Sequence, residues 1–210
     1  MSTKIDLDAA AAHFAHCDPT MSTLLNISRT GPESITIPKS KPAEQYFHSL
    51  VASIIGQQIS TKAASAVRGR VEQLLDTVTP ENVLHTPRAS LKQCGLSEQK
   101  VRYITENAAV WETLPYRQFS TMSDEEIIAV LAQLYGIGRW TAEMFLLFSL
   151  ARPDVFSYGD FGLRQSLYRH YRYYPHYRRK IEATVTAWSP HRSVASLCLW
   201  HTLNNSPVLP

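Results

Sequence analysis

Helix starts punctuate this chain from end to end. Asp18-Pro19, Thr79-Pro80 and Ser123 with Glu126 three residues on each set a side-chain acceptor just ahead of a helical stretch. In the first two, proline sits in the first turn, where its missing N–H is no loss; the third is a capping box. Apolar periodicity between these signals predicts helices over 6–16, 18–27, 46–55, 61–75, 80–85, 87–93, 97–113, 123–134, 138–150, 161–171, 174–188 and 189–203. Most linkers are short, so the fold class is all-α. The exception is 30–42, where Gly31, Pro32, Ser34, Pro38 and Pro42 surround Ile35-Thr36-Ile37. This reads as an irregular crossing able to hold a short strand-like piece.

With 210 residues, 44% of them hydrophobic and 19% charged, the chain can bury a core as one large domain or two small ones. Cys17, Cys94 and Cys198 form no CxxC pair. A disulfide framework and a zinc knuckle are therefore not expected, and a reducing compartment is. No apolar run reaches membrane-spanning length, and the N-terminus has no cleavable hydrophobic core, so neither membrane insertion nor secretion is expected. The formal net charge is +3, and its distribution is informative: 161–181 contains no acid but holds Arg164, Arg169, Arg172, Arg178, Arg179 and Lys180. Such a segment suits a polyanion or a solvated face.

The most informative string is Leu134-Tyr135-Gly136-Ile137-Gly138-Arg139-Trp140-Thr141-Ala142, between an amphipathic stretch and a strongly apolar one. Glycines around one apolar residue let backbone approach another object without Cβ clashes. A helix opening at Gly138 would turn its first amides and positive dipole end outward, where a phosphate fits. For Gly-x-Gly alone, an ordinary helix end followed by a new helix is the commoner explanation. The longer string favours phosphate binding, with Ile137 plugging the turn into the core.

Farther on, Arg152-Pro153-Asp154-Val155-Phe156-Ser157-Tyr158-Gly159-Asp160-Phe161 ends at an aspartate that would cap the next helix. Such an Asp is most often only a cap. Among aromatics and downstream of an anion-binding turn, it has a second use. Breaking a purine N-glycosidic bond builds positive charge on the sugar; a fixed carboxylate stabilises that charge and can orient or deprotonate water.

These strings resemble the HhH-GPD superfamily of base-excision DNA glycosylases, in its 3-methyladenine DNA glycosylase II branch and short yeast-like form. Three further segments agree: Leu50-Val51-x-x-Ile54-Ile55-Gly56-Gln57-Gln58-Ile59-Ser60, Gly95-Leu96-Ser97-x-x-Lys100, and Trp188-Ser189-Pro190-His191-Arg192-Ser193. The likeness covers roughly residues 8–203. It implies a two-lobed helical fold with a DNA-binding cleft between lobes: one lobe near 45–150, with the hairpin at 123–150, and the other from 1–44 plus 151–210. It implies Asp160 as the catalytic carboxylate and a phosphate grip at Gly136, Ile137, Gly138 and Thr141, with a monovalent cation on hairpin carbonyls near Leu134 and Ile137. Relatives that also cut the strand carry a hairpin lysine where Trp140 stands here, so water is the implied nucleophile and the chemistry monofunctional. The scattered cysteines do not supply the iron–sulfur cluster of some relatives, and no cofactor is expected. The partner is duplex DNA with damaged bases or abasic sites, met by a monomer; the yeast-like likeness points to the nucleus.

The target base must leave the stack. The resemblance places the plug at Gln58 with Gln57 beside it; alternatively these glutamines satisfy backbone groups at a helix break. Tyr46, Trp140, Tyr158 and Phe161 are candidate walls for a cationic base, or core. Trp188 and Trp200 are assigned to core. Arg164, one turn from Asp160, either tunes that carboxylate or touches DNA. Two departures matter: the stiffening proline and second acid before the catalytic residue are replaced by Tyr158-Gly159, and His191 stands where Trp or Tyr is usual. A loosened carboxylate would favour the alternative of a damage- or abasic-site-binding protein with weak or no excision.

Overall fold

The computed structural model describes residues 4–30 and 34–205; Gly31 and Pro32 lie outside the described residues. Among those described, all regular structure is helical and no strand forms. The α-helices are α1 (Leu7–Cys17), α2 (Pro19–Thr30), α3 (Tyr46–Gly56), α4 (Thr61–Leu75), α5 (Pro80–His85), α6 (Arg88–Gln93), α7 (Glu98–Val110), α8 (Asp124–Leu131), α9 (Arg139–Phe148), α10 (Phe161–Tyr171), α11 (Arg178–Ala187) and α12 (Arg192–Asn205). The cap signals act as the sequence suggests: the Thr79 and Ser123 side chains accept the Asn82 and Glu126 amides, and Glu126 reaches back to the Ser123 amide at 2.8 Å. No helix among the described residues is long and apolar enough to cross a membrane.

Three expectations need correction. Residues 34–42 are irregular, as expected, but hold no strand-like piece; the Ile35 amide bonds to the Ser28 carbonyl instead. The helix expected from 174 starts only at Arg178, because Arg172 closes α10 in a left-handed conformation (φ 56°) and Tyr174-Tyr177 turns tightly before the chain can re-enter a helix. The one expected from 189 begins at Arg192, after the cis Ser189–Pro190 bond.

The chain folds as two compact units, Lys41–Phe145 and the combination of Met1–Ser40 with Leu146–Pro210. Their second boundary falls inside α9, earlier than residue 150, for a packing reason. Phe145 lies 5.4 Å from the Tyr46 ring and 6.2 Å from Phe119, whereas Phe148 stacks on Trp200 at 5.9 Å. In the Lys41–Phe145 unit, Phe47, Leu50, Ile54, Trp111 and Phe119 are almost fully buried, each contributing about 1.5–3 kcal/mol of hydrophobic burial.

The other unit packs Phe14, Leu24, Leu163, Val185, Trp188 and Leu199 into one core. A buried carboxylate ties its elements together. One oxygen of Asp18 accepts the Met21 amide at the start of α2; the other accepts the Trp188 indole N–H at 2.8 Å and the Tyr171 hydroxyl at 2.9 Å. Burial, together with this neighbouring carboxylate, pushes the Tyr171 phenol far above its ordinary range. A buried charge persists only when its lone pairs are met in this way.

Candidate active site

The hairpin turn in the Lys41–Phe145 unit is held from three sides. Gly136 has φ +75°, and a Cβ there would meet Tyr103 Cδ2 at 2.3 Å, so both backbone and neighbour exclude any larger residue. Asn107, fully buried on α7, donates to the Tyr135 carbonyl at 3.0 Å and accepts the Tyr135 amide at 2.8 Å. Gln57 donates from Nε2 to the Gly136 carbonyl at 2.8 Å. Ile137 is buried beneath the turn, as its apolar side chain demands. Gly138 caps α9, its carbonyl accepting the Ala142 amide, and nothing lies within 4 Å of a Cβ built there. Arg139 is drawn sideways into ion pairs with Glu125 and Glu143.

Gln57 thus bonds to the backbone of the hairpin across the chain, the contact that one of the two expectations for that residue describes. Gln58 beside it is exposed and adopts φ +58°, a conformation unusual for a side-chain-bearing residue. Behind this turn Lys100 donates to the Ile55 and Gln57 carbonyls at 2.7 and 2.8 Å, satisfying the end of α3. Partial burial moves its ammonium below the usual lysine range. Gln57, Gln58, Lys100, Gly136, Trp140 and Thr141 line one cavity of about 840 Å³. Trp140 is roughly half exposed there. Tyr46 is not part of it: buried against Phe119 and Phe145, it belongs to the core.

In the other unit Asp160 caps α10. Its Oδ1 accepts the Leu163 amide at 2.8 Å and the Trp200 indole N–H at 2.9 Å, with 8% of the residue's surface exposed. Trp200 is thus more than core filling: it holds the carboxylate. Gly162 makes room, since a Cβ there would press on Trp200 Cδ1 at 3.1 Å and on Asp160 Oδ1 at 3.2 Å. Phe161 projects into solvent at 74% exposure. Tyr158 turns its ring edge-on to Phe156 at 5.2 Å, and with Arg164, Leu167, Tyr173 and Arg178 it lines a second cavity of about 660 Å³.

The loop leading to Asp160 is clamped from behind by the Trp188–Ser193 segment. Arg192 donates from Nε and Nη2 to the two oxygens of Asp154 at 2.7 and 2.8 Å, and Ser189 adds a third bond. Ser193 accepts the Val155 amide and donates to the Arg152 carbonyl. Burial would raise the Asp154 carboxyl, but the Arg192 and Ser189 hydrogen bonds and the Arg192 charge outweigh it and hold the group below its ordinary value. A depressed carboxylate stabilises the fold above the unfolded pKa, near 4, and loses that contribution as pH falls through its folded value. Urea unfolding of the parent and of Arg192→Met should therefore give midpoints well separated at neutral pH that converge on acidification below about pH 4. A separation independent of pH would exclude this linkage.

The sequence does not reveal Asn107, Lys100, Gly162 or Trp200 as site residues. Lys100 and Trp200 fall in motifs, which signal their positions but not their roles. Nothing in the sequence marks Asn107 or Gly162.

Residues 51–191 match the family described as HhH-GPD superfamily base excision DNA repair protein. The chain is similar to DNA-3-methyladenine glycosylase 1 of Schizosaccharomyces pombe, at 28% identity over 93% of this chain and 87% of the relative. Among solved structures it is similar to a DNA-3-methyladenine glycosidase from Bacillus halodurans, with a TM-score of 0.79, 32% identity, and coverage of 98% of this chain and 92% of the other. It is also similar to the S. pombe 3-methyladenine DNA glycosylase in complex with abasic DNA, with a TM-score of 0.76, 26% identity, and coverage of 92% and 96%.

Proposed function

This chain belongs to the HhH-GPD superfamily of base-excision DNA repair proteins, and from that premise we propose that it is a monofunctional DNA glycosylase. Its substrates are alkylated purines of the 3-methyladenine and 7-methylguanine type in duplex DNA. The observation that carries this reading is the Asp160 carboxylate, fixed at the start of α10 by two N–H donors. Likeness to proteins named as 3-methyladenine glycosylases supplies the substrate class.

The hairpin, with Gly136, Ile137, Gly138 and Thr141, grips a DNA phosphate at the start of α9, where the helix dipole and outward amides suit an anion. Gln58, exposed on its strained turn, fills the gap left by the everted nucleotide. Asp160 stabilises the positive charge that develops on the deoxyribose as the base departs. It also orients the water that adds to C1′ and takes up its proton. With Trp140 in place of a hairpin lysine, no amine is available there for a Schiff base.

In the unit that holds Asp160, exposed Tyr158 and Phe161 offer aromatic faces to a cationic methylated base, and Arg164 a guanidinium to the backbone; Trp140, half exposed in the hairpin unit, offers another such face by itself. Each carbonyl oxygen has two lone pairs. Leu134 spends one on the Ile137 amide, while Asn107 and Gln57 take the Tyr135 and Gly136 carbonyls. Neutral oxygens with a spare lone pair at Leu134 and Ile137 fit a monovalent cation, which would help seat the phosphate. The protein acts as a monomer, in the nucleus.

Asp160 rests in two hydrogen bonds despite its glycine neighbour, so the altered loop does not argue for a silent site. Duplex DNA carrying N-methylpurines, incubated with the protein, should yield free methylated bases and abasic sites. A parallel gel shift on abasic-analogue duplex separates the alternative: firm binding with no released base would make this a damage-binding protein without excision.

A further inference from the structure

The connection between α10 and α11 is unlike the rest of the surface. Tyr168, Tyr174 and Tyr177 are 42%, 44% and 36% exposed, and they cluster instead of scattering. The Tyr168 and Tyr174 rings lie 5.0 Å apart, and Tyr174 stacks on His176 at 5.6 Å with 16° between planes. Tyr177 meets Tyr174 edge-on, with the Lys180 ammonium 5.0 Å over its ring. The charge around them is predominantly positive. Arg172, Arg179 and Lys180 make no salt bridge among the described residues, and Arg178 alone pairs, with Glu182. No acid occurs from 161 to 181. Tyr173 and Arg178 of the same connection also wall the 660 Å³ cavity, whose other faces include Phe156 and Tyr158.

Exposed aromatics carry an energetic cost in water unless a partner covers them, and unpaired guanidiniums seek anions. A paired duplex hides the faces of its bases, so rings of this kind find little to stack on there. A single strand offers both a phosphate chain and free π-faces. We infer that the segment from Tyr168 to Lys180 is a second nucleic-acid contact, taking a strand with unpaired bases. It goes beyond the proposed glycosylase reading, because it uses neither the hairpin nor Asp160.

The test is fluorescence anisotropy of labelled oligo(dT) with the full chain across a salt series. Tyr174→Ser with Tyr177→Ser should weaken binding roughly tenfold or more, while Tyr174→Phe with Tyr177→Phe keeps it near the parent. Arg172→Gln with Arg179→Gln should reduce the slope of log affinity against log salt by about 1.4, from two lost contacts at roughly 0.7 each. All four side chains are exposed, and thermal melting checks that each variant stays folded. Parent affinity in the serine variant, equal loss in the phenylalanine variant, or an unchanged salt slope would each overturn the inference. So would a serine variant that loses short-duplex affinity in the same proportion, since the segment would then be part of the duplex interface. Release of methylated bases by the serine variant is expected to match the parent, so failure of this site and of the glycosylase reading can be told apart.

Discussion

Asp160→Asn is expected to lower the rate of methylated-purine release by roughly 10²–10⁴, while affinity for duplex DNA and the melting temperature stay close to those of the parent. The substitution suits this residue because its structural and chemical duties reside in different properties. The structural duty needs an acceptor: Oδ1 caps α10 through the Leu163 amide and receives the Trp200 indole N–H. Asparagine keeps that oxygen and is as good a cap as aspartate. The chemical duty needs a negative charge against the developing cation and a base for water, and asparagine has neither. Asp160→Ala would mix the two, losing a cap of about 1 kcal/mol and stranding the indole N–H. Single-turnover release of 7-methylguanine, measured beside DNA affinity on the same preparation, provides the check. Release at the parent rate would remove Asp160 from the chemistry and leave it a helix cap.

Gly136→Ala should destabilise the protein by roughly 2–5 kcal/mol and abolish the grip of the hairpin on duplex DNA. Two independent penalties combine: about 1–2 kcal/mol for a Cβ in the left-handed region, and a further 1–3 kcal/mol for forcing an atom into an occupied place. That place is occupied by Tyr103, whose ring atoms Cδ2 and Cε2 would lie 2.3 and 2.6 Å from the new Cβ. The penalties can be separated. Adding Tyr103→Ala should recover the steric part and leave the conformational one, an interaction visible in a double-mutant cycle. Gly138→Ala is the matched control; with no neighbour within 4 Å and no positive φ, it should melt within about 0.5 kcal/mol of the parent. Chemical denaturation of the five proteins, Tyr103→Ala alone included, decides the matter. Equal destabilisation at 136 and 138 would mean that the turn is not held as described.

The contrast between these two glycines shows how far residue patterns reach. In the sequence they look equivalent, flanking one apolar residue. The fold distinguishes them, because only Gly136 faces a ring supplied by α7. Gln57 and Gln58 are likewise adjacent and alike on paper. One bonds to the Gly136 carbonyl far along the chain; the other stays at the surface. Tyr46, Trp140, Tyr158 and Phe161 all scan as aromatics at helical spacing, yet Tyr46 is swallowed by Phe119 and Phe145 while Phe161 stands in solvent.

What the residues settle alone is local: helices and their caps, the glycine turn at 136–138, the aspartate at the start of α10, and through their order the family. These depend on interactions spanning a few residues, and such interactions are written in neighbouring letters. Which atoms steady the turn and the carboxylate was decided by folding, since Asn107, Gln57 and Trp200 act across separations of 28, 79 and 40 residues. A donor at that range has no periodicity or spacing to announce it. It becomes a partner only when packing brings a buried polar group within reach of another that would otherwise go unmet.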